Sequence, residues 1–296
     1  MKRVLITGME GFTGRYLRDE FAAHGWAVFG FGARAQAGVA NYRQVDLQDL
    51  PGLQDYVRQV QPQAVAHLAG IAFVGHNTPF DFYQTHVLGT LNLLSALELC
   101  APNLQKVLLA SSANVYGNSV PGVYSETTPL RPANDYAVSK LAMEYMAWLW
   151  RDKLPIVIAR PFNYTGVGQS RDFLLPKIVG HFQQGLRQIE LGNLNVERDF
   201  SDVRNVANAY RRLIECPESK GAVNVCSGQV HSIQDVLAIM KELSGYEMEV
   251  KVNPAFVRAD EVKTLYGSCD RLKGFIGDYQ PIELKETLRW MLGQHA

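Results

Sequence analysis

The feature that most limits the fold of this chain is the alternation of short apolar runs with longer amphipathic stretches across its first half. Five runs have the composition of buried strands: Val4–Thr7, Ala27–Phe31, Ala64–Leu68, Val107–Ala110 and Ile156–Arg160. The stretches between them have helical periodicity: Arg15–His24, Leu53–Gln59, Tyr83–Leu99 and Tyr136–Trp150. Strands and helices in this order form a parallel sheet with helices on both faces. The chain is therefore predicted to be an α/β protein with a doubly wound parallel sheet.

After Arg160 the alternation ends. Asn163–Ser170 is predicted to be a turn-rich loop. The later elements are predicted as one strand, Ala222–Val225, and three helices, Phe173–Gly185, Ser232–Ser244 and Leu284–Leu292. The sequence contains neither a low-complexity linker nor an internal repeat. We therefore expect a larger unit made of residues 1–163 and 203–228, and a smaller, interleaved C-terminal lobe made of residues 164–202 and 229–296.

The charge balance argues against partners that bind through bulk positive charge. The 296 residues include 29 Lys and Arg against 29 Asp and Glu, so neither nucleic acid nor an anionic membrane is expected as a partner. No apolar run reaches the length of a membrane span. The four cysteines are widely spaced and form no metal-binding motif. We expect a cytoplasmic protein with free thiols and no bound metal.

A glycine-spaced turn follows the first predicted strand directly and opens the first predicted helix. It reads Thr7-Gly8-Met9-Glu10-Gly11-Phe12-Thr13-Gly14 and is called the glycine turn below. Gly8 permits a tight turn, Gly11 permits close approach of a pyrophosphate, and Gly14 permits close packing of helix on strand. Free N–H groups at a helix start, here at Phe12 and Thr13, bind phosphates. A purely structural turn is the alternative, but the position between strand and helix favours a dinucleotide site.

The end of the second predicted strand bears on the choice between NAD and NADP. An acidic residue there accepts hydrogen bonds from the ribose 2′-OH and favours NAD. The sequence continues Gly32-Ala33-Arg34, and the next acid is Asp46. Arg34 is available to pair with a 2′-phosphate, although a solvated surface arginine is the alternative. We predict NADP(H) as the cofactor, with NAD also usable.

A tyrosine and a lysine are four residues apart in the predicted helix that begins at Tyr136. Tyr136 and Lys140 therefore lie on one helix face, one turn apart. A phenol with a pKa of about 10 is a poor proton carrier at neutral pH, and a neighbouring ammonium is expected to lower that pKa. Ser112 follows closely on the strand that ends at Ala110. We predict a carbonyl–alcohol redox site in which Ser112 binds the substrate oxygen, Tyr136 transfers its proton, and Lys140 holds the nicotinamide ribose.

These segments together resemble the extended short-chain dehydrogenase/reductase family over nearly the whole chain. The matching segments are Thr7-Gly8-x-x-Gly11-Phe12-x-Gly14, His67-Leu68-Ala69-Gly70, Gly89-Thr90-x-Asn92-Leu93-Leu94, Ser111-Ser112-x-x-Val115-Tyr116-Gly117 and Tyr136-x-x-x-Lys140. The resemblance implies a Rossmann-type sheet whose larger unit binds the dinucleotide and whose smaller lobe binds a nucleotide sugar. It also implies that Asp46 and Leu47 meet the adenine. The remaining implied cofactor contacts are Leu68, Ala69, Gly70, Ala110, Pro161 and Asn163.

Two residues distinguish the chain from the dehydratases of that family. Dehydratases have Asp-Glu directly after the catalytic hydroxyl residue, whereas this chain has Ala113-Asn114. Neither of these side chains can shuttle the proton that elimination of water requires. The resemblance therefore implies a simple carbonyl–alcohol redox step on a nucleotide sugar.

The second half resembles the family members that reduce the C4 ketone of GDP-4-keto-6-deoxy-D-mannose to GDP-D-rhamnose, a deoxysugar donor used in lipopolysaccharide synthesis. The matching segments are Arg160-Pro161-Phe162-Asn163-Tyr164-Thr165-Gly166-x-Gly168-Gln169, Gly192-Asn193-Leu194-x-x-x-Arg198-Asp199-Phe200-x-Asp202-Val203-Arg204 and Asn224-Val225-Cys226-Ser227-Gly228. The implied substrate contacts are Ser112, Asn114, Asn163, Arg198, Arg258 and Glu261. Arg198 and Arg258 are expected to clamp the pyrophosphate with bidentate guanidinium groups. Two positions depart from the pattern, His86 where relatives usually have Asn and Ala259 where they usually have Pro.

Three alternatives remain open. The first is a nucleotide-sugar 4-epimerase, which would retain tightly bound NAD through its cycle. The second is a reductase that yields the 6-deoxy-talose epimer. The third is a catalytically silent protein that senses NADP, against which the complete set of Ser112, Tyr136 and Lys140 argues.

Two partners are also expected. An upstream 4,6-dehydratase would supply the 4-keto sugar. The helical stretches Tyr83–Leu99 and Tyr136–Trp150 are apolar on nearly every face, so each needs a second apolar surface besides the sheet. We therefore predict a homodimer in which these helices form a four-helix contact.

Overall fold

The computed structural model describes residues 1–72, 78–118, 122–257 and 262–293. The strands of this part of the chain are β1 (Arg3–Thr7), β2 (Ala27–Gly32), β3 (Tyr42–Gln44), β4 (Ala64–His67), β5 (Lys106–Ala110), β6 (Ile156–Pro161), β7 (Asn163–Thr165), β8 (Gln188–Leu191), β9 (Glu197–Arg198), β10 (Phe200–Asp202), β11 (Gly221–Val225), β12 (His231–Ser232), β13 (Glu249–Val252) and β14 (Thr264–Leu265). The helices are α1 (Phe12–Ala23), α2 (Leu50–Val60), α3 (Pro79–Tyr83), α4 (Gly89–Cys100), α5 (Asp135–Trp148), α6 (Leu174–Gln183), α7 (Val203–Glu215), α8 (Ile233–Ser244), α9 (Asp270–Ile276) and α10 (Leu284–Leu292). A π-helical turn, Gln84–Leu88, joins α3 to α4, and a 3₁₀ turn, Ala113–Tyr116, follows β5.

Seven of these strands form one parallel sheet in the order β11-β6-β5-β4-β1-β2-β3. The chain builds outward from β1 to β3, then returns to the other side of β1 to place β4. Ligands of such sheets bind beyond the carboxyl ends of the strands, at the point where the strand order reverses. The predicted Rossmann-type doubly wound sheet is confirmed, and its reversal point lies between the ends of β1 and β4.

Helices cover both faces of this sheet. The central strands are apolar on both sides because both faces are buried: Val4, Leu5 and Ile6 of β1 have no exposed surface. On one face α1 and α7 pack against the sheet, and on the other face α2, α4 and α5 do so. Because the strands are parallel, their carboxyl ends lie together along one edge of the sheet, between the two helical layers.

A separate apolar core holds the smaller lobe together. Side chains from α6, β8, α8 and α10 form this cluster, among them Ile178, Ile189, Val236 and Leu288. The short strand β13 pairs in parallel with β8, and β10 pairs in parallel with β7 just after the main sheet. Helix α9 belongs instead to the core of the main sheet, where it packs on α7 and β11.

The predicted strands and helices of the first half are present, with ends shifted by a few residues. The stretch predicted as one helix from Tyr83 begins with the π-helical turn before α4. Sequence patterns missed β3, α3, α7 and α9 as well as most of the short strands in the second half. No helix among the described residues is both long and apolar enough to cross a membrane.

Candidate active site

The glycine turn joins β1 to α1 and leaves the start of α1 open. Gly8 has a φ of +66°, which favours glycine, and a Cβ on Gly14 would lie 2.3 Å from the Gly8 carbonyl oxygen. Gly11 precedes the helix in an extended conformation, and no described side chain caps the first N–H groups. These N–H groups at the positive end of α1 fit the phosphates of a dinucleotide. The predicted residues Phe12 and Thr13 form the first turn of that helix.

Tyr164 of β7 closes over the same turn of α1. The Tyr164 and Thr13 hydroxyls are hydrogen-bonded at 2.7 Å, and the Tyr164 ring stacks on Phe12 with centroids 6.1 Å apart. This contact ties the segment after β6 to the cradle for the phosphates.

The loop after β4 lies directly beside the glycine turn. The backbone N–H groups of Leu68 and Ala69 donate to Thr7 Oγ1 at 3.1 and 2.9 Å. A Cβ on Gly8 would lie 3.0 Å from Ala69 N and Cα, so the two backbones are in contact. The predicted cofactor residues Leu68, Ala69 and Gly70 therefore lie at the reversal point of the sheet.

An acidic side chain lies at the end of β2. The Glu10 carboxylate packs against Gly32, because a Cβ on Gly32 would lie 2.1 Å from Glu10 Oε1. This acid comes from the glycine turn and not from the segment after β2, in which the next acid is Asp46. Arg34 lies two residues beyond the strand, and its side chain is exposed.

Asp46 and Leu47 lie at the same edge, two residues beyond β3. Asp46 is exposed, and its Oδ1 accepts a hydrogen bond from Gln48 N at 2.9 Å. Leu47 is buried, and its carbonyl accepts from Asn92 Nδ2 at 2.9 Å. Leu47 is thereby tied to α4 near the predicted adenine end of the site.

Ser112, Tyr136 and Lys140 meet where β5 ends and α5 begins. Asn134 caps α5 by accepting a backbone N–H of its first turn at 2.9 Å, which places Tyr136 in that turn and Lys140 one turn later. The Ser112 side chain lies close enough to the Tyr136 hydroxyl to lower its pKa. Lys140 Nζ donates to the Ala110 carbonyl at 2.9 Å. The structure thus brings the three predicted catalytic residues together.

Burial controls the ionisation of this group. It raises the pKa of Tyr136 to about 12, although the neighbouring Ser112 side chain acts in the opposite direction. Burial also lowers the pKa of Lys140 to about 8, while the Glu144 carboxylate opposes the change. The expected lowering of the Tyr136 pKa by the ammonium is not seen in the protein alone, because burial is the largest cause of the shift and Lys140 is not among its causes.

A buried hydrogen-bond chain starts at the end of β1. Thr7 Oγ1 accepts the two N–H bonds described above, so its own proton is donated to His67 Nδ1 at 2.7 Å. His67 Nε2 then donates to Thr90 Oγ1 at 2.9 Å, and Thr90 donates to the His86 carbonyl at 2.6 Å. Burial and the Lys140 charge lower the pKa of His67 to about 3, which keeps this ring neutral.

The chain continues through the His86 side chain to the catalytic helix. His86 Nε2 accepts from Ile71 N at 3.1 Å, so the proton is on Nδ1, which donates to Ser139 Oγ at 2.8 Å. Ser139 in turn donates to the Tyr136 carbonyl at 2.8 Å. Burial lowers the pKa of His86 to about 2. The residue that departs from the family pattern therefore joins the cofactor loop to α5.

A buried ion pair supports α5 from behind. Glu144, one turn after Lys140, pairs with Arg160 of β6 at 2.6 Å. Ser111 Oγ donates to Glu144 Oε1 at 2.5 Å, and Arg160 Nη1 donates to Tyr116 Oη at 3.0 Å. These contacts fix α5 against β5 and β6.

Three predicted residues lie near Ser112 at the ends of β5 and β6. Asn114 N donates to Ser112 Oγ at 3.2 Å, within the 3₁₀ turn that follows β5. Pro161 is buried at the end of β6, and Asn163 begins β7 with an exposed side chain. The carboxyl edge of the sheet thus carries both predicted asparagines.

The predicted pyrophosphate clamp is described only in part. Arg198 lies on β9 and is buried, and its Nη1 donates to two backbone carbonyls at 2.8 and 3.1 Å. Its predicted companions Arg258 and Glu261, and the departure at Ala259, lie outside the described residues.

Sequence reasoning missed two residues at this site, Glu10 and Tyr164. Glu10 lies in the glycine turn, but only the fold places its carboxylate at the end of β2. Tyr164 lies in a segment that reads as a loop, and no spacing rule connects it to Thr13. Chemically, the site combines a phosphate cradle with a buried hydroxyl pair that can bind and protonate a carbonyl oxygen.

Comparison with known proteins agrees with this geometry. The family model for GDP-mannose 4,6 dehydratase matches residues 5–291. A GDP-6-deoxy-D-talose 4-dehydrogenase of Aggregatibacter actinomycetemcomitans is 33% identical, covering 98% of this chain and 96% of its own. A GDP-6-deoxy-D-mannose reductase of Pseudomonas aeruginosa is 34% identical with the same coverage.

Solved structures give the same grouping. A Burkholderia cenocepacia J2315 protein described as a candidate epimerase is 47% identical, with a TM-score of 0.92 over 98% of this chain and 97% of its own. The protein RMD of Pseudomonas aeruginosa, solved with NADPH, is 32% identical, with a TM-score of 0.85 over 99% of this chain and 98% of its own.

Proposed function

The chain belongs to the GDP-mannose 4,6-dehydratase family of short-chain dehydrogenases/reductases and is an NAD(P)-dependent oxidoreductase, and from this premise we propose that it is a nucleotide-sugar 4-ketoreductase. The proposed reaction converts GDP-4-keto-6-deoxy-D-mannose, NAD(P)H and a proton to GDP-D-rhamnose and NAD(P)⁺. The relatives of 33% and 34% identity are both named for GDP-linked 6-deoxy sugars.

One observation carries this proposal: Ser112 lies beside the Tyr136 hydroxyl, and the two residues that follow Ser112 are Ala113 and Asn114. The hydroxyl pair supplies what a ketone reduction needs, a hydrogen-bond donor and a proton donor on one oxygen. Ala113 and Asn114 supply no acid or base for eliminating water, although the family is named for dehydratases.

The residues present fit a nicotinamide dinucleotide. Gly8 and Gly14 let the glycine turn pack tightly on the Ala69 backbone and on itself, and the first N–H groups of α1 carry no side-chain cap from the described residues. The dinucleotide would lie along Gly8, Gly11, Phe12, Thr13, Gly14, Arg34, Asp46, Leu47, Leu68, Ala69, Gly70, Ala110, Tyr136, Lys140, Pro161 and Asn163. When bound, the nicotinamide supplies the hydride.

The protein's own part is to bind the ketone and deliver a proton. With its pKa raised to about 12, Tyr136 stays a neutral phenol at physiological pH and donates its proton to the C4 oxygen. Ser112 donates a hydrogen bond to the same oxygen. Lys140 is anchored to the Ala110 carbonyl, and its remaining N–H groups would hold the ribose hydroxyls of a bound dinucleotide.

We assign the substrate contacts to Ser112, Asn114, Asn163, Arg198, Arg258 and Glu261. Arg198 and Arg258 would hold the pyrophosphate as a pair of guanidinium forks. The dinucleotide would bind to the unit of residues 1–163 and 203–228, and the sugar nucleotide to the lobe of residues 164–202 and 229–296.

A 4-epimerase is the second candidate, favoured by the 47% identity to the Burkholderia protein. A reductase giving the 6-deoxy-talose epimer is favoured by the Aggregatibacter relative, and it differs only in the ketone face that receives hydride. The 4-keto substrate requires an upstream 4,6-dehydratase, and the product is suited to lipopolysaccharide synthesis. A cytoplasmic location fits the four cysteines, all of which are free thiols.

We also propose a homodimer formed through α4 and α5. Tyr145, Trp148 and Leu149 on and just after α5, and Leu99 on α4, are large apolar side chains that face solvent in the single chain. Apolar surface of this kind on two neighbouring helices is typical of an interface.

The assay that tests the reaction follows NAD(P)H oxidation by absorbance, while a 4,6-dehydratase generates the ketone in the same cuvette. One NAD(P)H lost for each ketone consumed supports a reductase, and NMR of the product then gives its C4 configuration. Turnover without loss of added NAD(P)H, by enzyme that retains NAD through purification, would support the epimerase instead.

A further inference from the structure

The side chain of Glu10 has an unusual place for a residue of the glycine turn. Its carboxylate lies across the end of β2, where a Cβ on Gly32 would be 2.1 Å from Oε1 and 2.5 Å from Oε2. Only glycine at position 32 leaves room for the carboxylate. The acid therefore reaches the carboxyl edge of β2 without being part of that strand.

One oxygen of this carboxylate lacks a partner. Glu10 Oε2 is buried and accepts no hydrogen bond from the described residues. The Tyr42 hydroxyl of β3 donates to the Arg34 carbonyl at 2.7 Å, and burial and the nearby Glu10 carboxylate raise the pKa of Tyr42 to about 12. A buried anionic oxygen without a donor is costly. The geometry therefore indicates that a bound molecule supplies the missing donor.

The position identifies the chemistry of that donor. The carboxyl end of β2, beside the turn that holds the pyrophosphate, is where the adenosine ribose of a dinucleotide lies. A ribose 2′-OH donates to a carboxylate, whereas a 2′-phosphate places a dianion against it. We propose that Glu10 selects the cofactor, binding the adenosine ribose hydroxyls of NAD(H) and disfavouring NADP(H). This proposal rests on the proposed function only in requiring a nicotinamide dinucleotide.

Arg34 is the residue that would favour NADP(H), by pairing with its 2′-phosphate. Its side chain is exposed and makes no ion pair with the described residues. A solvated arginine gains little from an exposed ion pair, since water and salt screen it. The Glu10 carboxylate is instead partly buried and packed against Gly32. We therefore expect Glu10 to outweigh Arg34.

The test is equilibrium binding of NADH and of NADPH to the purified full chain, measured by calorimetry without any sugar substrate. Wild type is expected to bind NADH about 10- to 100-fold more tightly than NADPH, the range of a hydrogen bond to a charged group. Glu10→Gln keeps the shape and removes the charge, so it should reduce this ratio at least about tenfold, mainly by tighter NADPH binding. Arg34→Ala should weaken NADPH binding only slightly.

Two controls make the result specific. Asp19→Asn removes the same unit of charge from an exposed position on α1 and should leave the ratio unchanged. Glu10→Ser removes the carboxylate without adding an amide and should move the ratio in the same direction as Glu10→Gln. Tighter NADPH than NADH binding by wild type, or an unchanged ratio in a folded Glu10 variant, would overturn the proposal. Binding of neither dinucleotide would overturn the proposed function and this inference together.

Discussion

The phenol of Tyr136 and the ammonium of Lys140 lie one helical turn apart, and burial moves their pKa values in opposite directions, to about 12 and about 8. Both shifts disfavour the charged form, as desolvation always does. For a reductase this suits Tyr136, because a proton donor must be protonated at the working pH. For Lys140 it means that the charge which orients the ribose is retained only over part of the pH range.

Replacement of Tyr136 by Phe tests the proton donor. Removing the hydroxyl should lower kcat about 10²- to 10⁴-fold, the usual contribution of a positioned acid. Cofactor affinity should change little, because the phenyl ring keeps its edge contacts with Phe82 and His86. Steady-state kinetics and cofactor titration measure the two effects. Tyr145→Phe, on the exposed face of the same helix, is the matched control, and a Tyr136→Phe enzyme with most of its activity would contradict the assignment.

The pH profile tests Lys140. A group with a pKa lowered to about 8 is charged below that pH and neutral above it, so kcat/KM for ketone reduction should fall as the pH rises past about 8. No further loss from Tyr136 is expected below its pKa of about 12. The pH dependence of kcat/KM reports the pKa values of the enzyme without substrate. The fall in kcat/KM should therefore follow the Lys140 pKa of the substrate-free protein. Lys140→Arg keeps a positive charge, so its kcat/KM should differ in magnitude from that of wild type but stay constant with pH through this range. A wild-type kcat/KM that stays constant to pH 10 would argue against this role of Lys140.

At the scale of elements, the two neutral histidines join β1, β4, α4 and α5 into one rigid frame around the site. The π-helical turn Gln84–Leu88 before α4 is what points His86 into this frame, and such turns are frequent at functional sites. The frame fixes the backbone of Ile71 relative to that of Tyr136. Since the loop after β4 is the proposed cofactor loop and α5 carries the proposed catalytic pair, we expect His86 to act as a positioning residue.

His86→Ala should therefore loosen both parts at once. The substitution leaves the Ile71 N–H without its acceptor and opens a cavity, which should lower the free energy of unfolding by about 2–4 kcal/mol. Denaturant unfolding measures the loss, and KM for the cofactor should rise more than kcat falls. His24→Ala, at an exposed helix end, should change stability by less than about 0.5 kcal/mol. Equal losses of unfolding free energy in His86→Ala and His24→Ala would show that His86 does not hold these elements together.

At the scale of the whole molecule, the exposed apolar residues at the ends of α4 and α5 predict the dimer contact. Leu149 is 75% exposed and Trp148 is 53% exposed in the single chain. Leu149→Asp should convert a dimer to a monomer in sedimentation at micromolar concentration, because a buried charge without a partner is costly. Leu186→Asp, an exposed apolar residue elsewhere, should leave the dimer intact. A wild-type chain that sediments only as a monomer would end the proposal.

The sequence predicts the sheet well because parallel strands covered on both faces are continuous apolar runs. It predicts Ser112, Tyr136 and Lys140 because strand ends and helical spacing bring them together without any long-range information. It does not predict α7, whose buried face includes Arg211, an arginine paired with Glu20 and Glu215. The same reason hides Glu10: its contact with Gly32 depends on tertiary structure, which local patterns do not contain.

The most direct test of the central claim is the fate of the hydride. The enzyme is supplied with NAD(P)H deuterated at both C4 positions of the nicotinamide and with GDP-4-keto-6-deoxy-D-mannose made by a 4,6-dehydratase. Mass spectrometry and NMR then locate deuterium in the sugar. This account predicts one deuterium for each product molecule, bound at C4, with an equal amount of NAD(P)⁺ formed. A turned-over sugar without deuterium at C4 would contradict it.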